Sequence, residues 1–165
     1  MQALVVHASD RGSTAELAAW IGEAFAERGI EVEVRACEEV TDLGESQAVV
    51  VAGALYLGRW HHEARRFVKQ FAEPLRRRTV WLCSTGPLDH SAAQQELPAV
   101  SDVTRALQRS RARGHQTFGG KLDAGATGPL TTQVAAQSAG DYRDREQVTA
   151  WAQSVADTLI AEAED

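Results

Sequence analysis

Runs of apolar residues alternate along the chain with longer segments in which apolar residues recur at helical spacing. A continuous apolar run predicts a strand that is buried on both faces, and alternation of such strands with helices is typical of a parallel sheet covered by helices. The runs predict strands over Ala3 to His7, Ala48 to Ala52 and Thr79 to Cys83, and a weaker one over Gln116 to Gly120. The pattern therefore predicts an α/β fold.

The segment Glu31 to Arg35 differs from these runs because charged and apolar residues alternate strictly along it. Such alternation indicates a strand with one wet face, which is typical of a sheet edge. Right-handed crossovers then give a three-layer, doubly wound parallel sheet of five strands in the order 2-1-3-4-5. The alternative order 3-2-1-4-5 would bury Glu31 and Glu33, and burying unpaired carboxylates is costly.

Four segments carry the periodicity of amphipathic helices. The first begins at Ser13, where Ser13 and Glu16 form a capping-box pattern, and Gly29 ends it. The other three predicted helices cover about residues 64–71, 100–113 and 144–162. Residues 87–99 are expected to be irregular, and residues 124–140, rich in Gly, Ala and Thr, are expected to be a loop.

Length and composition favour a single domain over residues 1–165, since domains cluster near roughly 100–150 residues. No stretch approaches the ~18 consecutive apolar residues of a membrane helix, and the N-terminus lacks a basic leader, so we expect a cytoplasmic protein. The formal net charge of -6 argues against nucleic acid as a partner. Cys37 and Cys83 are far apart in apolar surroundings, and we expect both in the core.

Ligands of open parallel sheets bind beyond the carboxyl ends of the strands, where the strand order reverses. The first loop that reaches this point contains Ser9, Asp10, Arg11, Gly12, Ser13 and Thr14. It combines hydroxyl groups, a glycine and an arginine at the start of a helix, where free N–H groups and the helix dipole favour an anion. The loop has neither the G-x-G-x-x-G pattern nor the Walker A lysine, so a terminal monophosphate is the expected ligand.

Two further loops reach the same point. The second contains Ala54, Leu55, Tyr56, Leu57, Gly58, Arg59 and Trp60, and the third begins with Ser84, Thr85 and Gly86. A flat cofactor needs aromatic or apolar faces and closely approaching backbone, so Tyr56 and Trp60 are the candidate stacking residues. The adjacent His61, His62 and Glu63 point in different directions on a helix, which favours a helix start over a metal site.

Three quoted segments carry a family resemblance: 6–14 (VHASDRGST), 53–60 (GALYLGRW) and 118–123 (FGGKLD). Together they resemble the flavodoxin-domain group that includes menaquinone-dependent protoporphyrinogen oxidase. The resemblance implies a flavodoxin-like fold and an FMN whose phosphate lies on the first loop and whose ring lies between the other two. This chain departs from the group at residues 124–140, a short segment of small and polar residues where the protoporphyrinogen oxidases carry an apolar, aromatic segment.

The expected function is electron transfer through non-covalent FMN, with no catalytic side chain required because the flavin performs the redox chemistry. Two alternatives stay open: an FMN oxidoreductase acting on a bound quinone or porphyrinogen, and a cofactor-free binding scaffold. The acidic surface suggests basic partner proteins, and the protein is expected to be a monomer or homodimer. The charges of Arg11 and Arg59 are expected to favour reduced flavin, and His61 is a candidate proton shuttle.

Overall fold

The computed structural model describes residues 1–165. The strands are β1 Gln2–Ala8, β2 Glu31–Ala36, β3 Ala48–Tyr56, β4 Arg59–Trp60, β5 Thr79–Thr85, β6 Gly114–Phe118, β7 Lys121–Leu122 and β8 Gly140–Asp141. The helices are α1 Ser13–Glu27, α2 His62–Gln70, α3 Ala72–Leu75, α4 Ser91–Gln94, α5 Ser101–Ser110, α6 Thr131–Ser138 and α7 Arg145–Glu164. A 3₁₀ turn, Cys37–Glu39, follows β2.

The main sheet has the parallel order β2-β1-β3-β5-β6, which confirms the predicted order 2-1-3-4-5. The labels differ only because the two-residue strand β4 precedes the fourth long strand in the chain. β4 pairs antiparallel with the end of β3, and β7 and β8 form a separate antiparallel pair. In register, Val5 of β1 lies between Val34 of β2 and Val50 of β3.

Burial explains this order. The residues of β3 from Ala48 to Gly53 are all buried, whereas β2 alternates between exposed and half-buried residues. β2 therefore belongs at an edge and β3 at the centre, as the hydrophobic pattern predicts. The core has two halves: α1 and α7 cover one face of the sheet, and α2 and α5 cover the other.

Three local predictions are wrong. Residues 87–99 were expected to be irregular, but Ser91–Gln94 form the short helix α4. Helix α1 begins at Ser13 as predicted, but Gly12 is its N-cap in a left-handed conformation and no side chain caps it, so the capping box does not form. Residues 131–138 form α6 where a loop was predicted. This stretch contains neither Gly nor Pro, and Thr131 and Ala135, one helical turn apart, form its buried face.

Both cysteines are buried and free, as predicted. Burial raises the pKa of the Cys83 thiol to about 12, so this side chain behaves as a small apolar residue. None of the helices combines the length and apolar character needed to cross a membrane.

Candidate functional site

The first and third predicted loops meet at the carboxyl edge of the sheet. Thr14, in the first turn of α1, and Thr85, the last residue of β5, share a hydrogen bond of 2.8 Å between their hydroxyl groups. Both residues are buried, at 0% and 4% exposure. Because each hydroxyl has the other as its partner, the two loops are held in a fixed relation. The Thr14 side chain therefore connects the loops, and its backbone N–H is the group left for a ligand.

The N-terminus of α1 has the character of an anion site. Gly12 has φ 79° with open space around its α-carbon, and its N–H donates to the Ser9 hydroxyl at 3.2 Å. The N–H groups that follow, at Ser13 and Thr14, have no side-chain cap. Unsatisfied N–H groups at the positive end of a helix dipole suit a phosphate, so these donors fit the predicted monophosphate ligand.

Asp10 and His61 connect the first loop to the start of α2. Nε2 of His61 lies 2.8 Å from the Asp10 carboxylate, and Nδ1 of His61 accepts a hydrogen bond from the Glu63 N–H. The acceptor role of Nδ1 places the proton of the neutral ring on Nε2, which donates to Asp10. This hydrogen bond holds the pKa of Asp10 below its usual value. The predicted helix start at His61 is confirmed, because this residue is the N-cap of α2.

The second predicted loop is a β-hairpin. Leu55 pairs with Trp60 and Tyr56 with Arg59, so Leu57 and Gly58 form its tip. Both tip residues have positive φ, 49° and 74°, as two-residue hairpin turns require. Ala54 and Leu55 are half-buried, whereas Tyr56 is 47% and Leu57 64% exposed. About half of Tyr56 is therefore exposed beside the site, with its hydroxyl hydrogen-bonded to Pro129 O.

Trp60 is not a stacking residue, contrary to the prediction. Its side chain is fully buried in the core beneath β3, so neither face of its indole is open to a ligand. A β-carbon at Gly53 would clash with Nε1 of Trp60, which shows how closely the strand passes over the ring. Tyr56 is left as the aromatic candidate of this loop.

Arg59 does not face the site either. Its Nε donates to the Asp102 carboxylate at 2.7 Å, and that carboxylate, 3% exposed, also accepts from Arg105 and from the Trp60 N–H. These donors, Arg59 first, lower the pKa of Asp102 to about 2. The Arg59 charge is thus paired with Asp102 on the α5 side of the hairpin, and we therefore expect it to have little effect on the potential of a bound flavin.

The third loop has its side chains turned inwards. Ser84 is buried and its hydroxyl lies 3.0 Å from Nε2 of His115 on β6, while the Gly86 N–H donates to Phe118 O at 3.1 Å. Burial lowers the pKa of His115 to about 4, so its ring is neutral at ordinary pH. Backbone at Gly86, half-buried beyond the strand, is what this loop offers to a ligand.

Residues 127–131 lie beside the first two loops, a feature that the sequence did not reveal. The Arg11 guanidinium donates to Thr127 O at 2.8 Å, and the Tyr56 hydroxyl donates to Pro129 O at 3.0 Å. Arg11 is exposed, and its guanidinium is directed at this segment rather than at the α1 N-terminus. Small polar residues with no periodicity carry no pattern that would have located this segment.

Two further residues behind the site were missed. Arg143 is 4% exposed; it pairs with Asp141 at 2.9 Å and donates to Ser13 O at 3.1 Å, which fixes the first residue of α1. Asp102 anchors the hairpin as described. The spacing of Asp102 and Arg105, three residues apart on a predicted helix, was the available signal for that anchor.

Comparison with known proteins identifies the family of the chain. The family model described as flavodoxin domain matches residues 4–134. No curated protein matches the sequence. The solved structures that resemble the chain include rubredoxin oxygen:oxidoreductase from Desulfovibrio gigas, with 13% identity and a TM-score of 0.68. The alignment covers 99% of this chain and 37% of that one, so the chain corresponds to little more than a third of the larger protein.

Two smaller proteins match over their whole length. The flavodoxin of Streptococcus pneumoniae shares 20% identity and a TM-score of 0.64, with 98% of this chain and 99% of that chain covered. Oxidised flavodoxin 2 from Bacillus cereus shares 15% identity and a TM-score of 0.56, with coverage of 98% and 99%. At these identities the structural likeness shows a shared fold.

Proposed function

Because the chain belongs to the flavodoxin domain family, we propose that it is an electron carrier whose FMN phosphate lies at the N-terminus of α1. FMN is the cofactor of this family and supplies the redox chemistry when bound, while the protein positions it and excludes water. The observation that supports the placement is the uncapped first turn of α1 beside Gly12.

Different residues of the site bind the phosphate and the ring of FMN. The N–H groups of Ser13 and Thr14 and the hydroxyl of Ser9 bind the phosphate, and the hydrogen bond between Asp10 and His61 holds their loop in place. The exposed ring of Tyr56 stacks on the flat cofactor. Backbone groups of the half-buried Ala54, Leu55 and Gly86 border its edge.

The test compares FMN with riboflavin, which lacks the phosphate. Flavin fluorescence measured during titration of the apoprotein should show FMN binding at least about 100-fold tighter, since each charge-assisted hydrogen bond contributes about 1.5–3 kcal/mol. Ser9→Ala deletes the hydroxyl that is assigned to the phosphate and that also accepts the Gly12 N–H. FMN should then bind about tenfold more weakly, with riboflavin affinity unchanged.

Ser13→Ala is the matched control because it removes a serine hydroxyl that is not assigned to the phosphate and keeps the backbone N–H. Its FMN affinity should stay within about threefold of the parent, well below one charge-assisted hydrogen bond. Equal affinity of the parent protein for FMN and riboflavin would contradict the placement of the phosphate.

The choice of a carrier over an oxidoreductase for quinones or porphyrinogens is supported by the exposed Tyr56 and Leu57 at the hairpin tip. Exposed apolar residues beside a redox group favour direct contact with another protein. Holoprotein reduced anaerobically should pass electrons to a protein acceptor. It should show no turnover with menaquinone or, in the oxidised form, with protoporphyrinogen; steady turnover of either compound would replace the carrier by the enzyme.

A further inference from the structure

A basic groove lies between α2 and α5. Its lining includes Arg65, Arg66 and Lys69 from α2 and Arg105 and Arg109 from α5, with Asp102 as the one carboxylate. Residues 65 and 69, and residues 105 and 109, are each four apart, so each pair lies on one side of its helix. Five of the 17 lysines and arginines of the chain are thus gathered in this groove.

Asp102 holds part of this groove in a fixed arrangement. Its carboxylate is 3% exposed and accepts hydrogen bonds from Arg59 at 2.7 Å and Arg105 at 2.7 Å, while Nε of Arg65 lies 4.0 Å away. The three arginine side chains remain 38–63% exposed. The buried carboxylate therefore orients the guanidinium groups of Arg59 and Arg105, while Nε of Arg65 is held by Trp60 O at 3.0 Å. All three groups keep faces open to solvent, and oriented groups lose less entropy on binding.

The charge of this groove is opposite to that of the chain. Five cations against one carboxylate give it a net charge of +4, although the whole protein carries -6, so the remainder carries -10. The expectation that an acidic surface would select basic partners treats the charge as uniform. The structure separates the two signs and places the positive one next to the hairpin of the site, through the ion pair of Arg59 with Asp102.

An apolar patch adjoins the groove at the hairpin tip. Tyr56, Leu57 and Leu130 are three of the four large apolar residues that are exposed in the protein. The hydrogen bond from the Tyr56 hydroxyl to Pro129 O brings residue 130 next to the tip. Protein interfaces commonly combine an apolar centre with a charged rim, and this is the arrangement formed by the patch and the groove.

We propose that the groove between α2 and α5, together with the apolar patch, docks an acidic redox protein beside the FMN. Carboxylates of the partner pair with the guanidinium groups, and its apolar centre covers Tyr56, Leu57 and Leu130. An extended nucleic acid is disfavoured because the net charge of -10 outside the groove repels a long polyanion. The inference rests on the proposed carrier function and adds the chemical class of its partner.

The test measures electron transfer from holoprotein reduced with dithionite and freed of excess reductant. One electron passes to Fe³⁺ of rubredoxin, an acidic protein, or of cytochrome c, a basic protein, and gives Fe²⁺. Arg66→Glu with Arg109→Glu reverses two groove charges that Asp102 does not hold. Arg35→Glu with Arg77→Glu is the matched control, because both residues are exposed and lie outside the groove.

With rubredoxin at low ionic strength, the groove variant should be about tenfold slower than the control variant, within the range reported for electrostatic steering. The rate of the parent protein should fall as salt is added. Cytochrome c should show no such loss in the groove variant. If rubredoxin reacts equally fast with both variants, or faster as salt is added, the docking proposal is overturned.

The same experiment separates this proposal from the function on which it rests. Loss of the proposed function would appear as apoprotein that takes up no FMN, before any rate is measured. A single-stranded DNA oligonucleotide and inorganic phosphate are added as competitors at physiological salt. We expect neither competitor to inhibit rubredoxin reduction. If DNA or phosphate binds the parent protein but not the groove variant, the groove is assigned to that ligand instead.

Discussion

The hydrogen bond between Thr14 and Thr85 gives the sharpest test of how the site is held together. Thr14→Val and Thr85→Val each delete one hydroxyl while keeping the size and branching of the side chain. Either change leaves the other hydroxyl buried, at 0% or 4% exposure, with its 2.8 Å partner gone. The double variant removes both hydroxyls and leaves two methyl groups in contact.

The magnitudes follow from the cost of an unsatisfied buried polar group. Each single variant should lose about 1–3 kcal/mol of unfolding free energy, whereas the double variant should lose less than either, since two apolar groups of the same shape are nearly neutral. The coupling energy of the pair, which is the sum of the two single losses minus the loss of the double variant, is then larger than either single loss and is about 2–6 kcal/mol if the double variant is neutral. For a domain of this size each kcal/mol corresponds to about 2–4 °C in Tm.

Urea unfolding of the parent, the two single variants and the double variant measures this coupling. Thr104→Val on α5 is the control, because the residue is exposed and its hydroxyl has little to lose. The m-values should stay constant so that midpoints report stability. Strictly additive losses in the double variant would show that the two hydroxyls do not depend on each other and would refute this account of how the loops are joined.

Three further outcomes are expected. Arg59→Ala should lower Tm because Asp102 loses one of the two cations that lie 2.7 Å from it, and should leave the midpoint potential of bound FMN unchanged; a potentiometric titration that shows a shift would contradict this expectation. Gly53→Ala should cost about 1–3 kcal/mol in urea unfolding through overpacking against Trp60, and the same substitution should cost less when it is made in a Trp60→Leu background. Burial lowers the pKa of His115 from 6.5 to about 4, so between these pH values the unfolded chain binds a proton that the folded chain does not, and stability falls as the pH drops. His115→Gln should therefore weaken the dependence of Tm on pH between about 6.5 and 4. An unchanged slope of Tm against pH would refute this expectation.

The sheet was predictable because its strands differ in burial. The unbroken apolar run of β3 and the strict alternation of β2 report two different environments, and a sheet has one arrangement that satisfies both. The position of the first loop follows from the same logic, since the carboxyl end of β1 lies at the point where strand order reverses.

The directions of individual side chains were not predictable. Trp60 and Arg59 are adjacent in a hairpin strand, so one side chain faces the core and the other faces the opposite side. The sequence does not show which residues each side chain contacts. Asp102, more than 40 residues away, determines the direction of Arg59. Likewise, the segment at Thr127 and Pro129 packs through backbone carbonyls, which have no signature in the sequence.

The central claim is that the α1 N-terminus binds the phosphate of FMN, and a crystal structure of the FMN complex tests it most directly. The account predicts a phosphate oxygen about 2.7–3.2 Å from the N–H groups of Ser13 and Thr14, with the ring against Tyr56. A phosphate bound elsewhere, with Ser13 and Thr14 still free of any ligand, would contradict it.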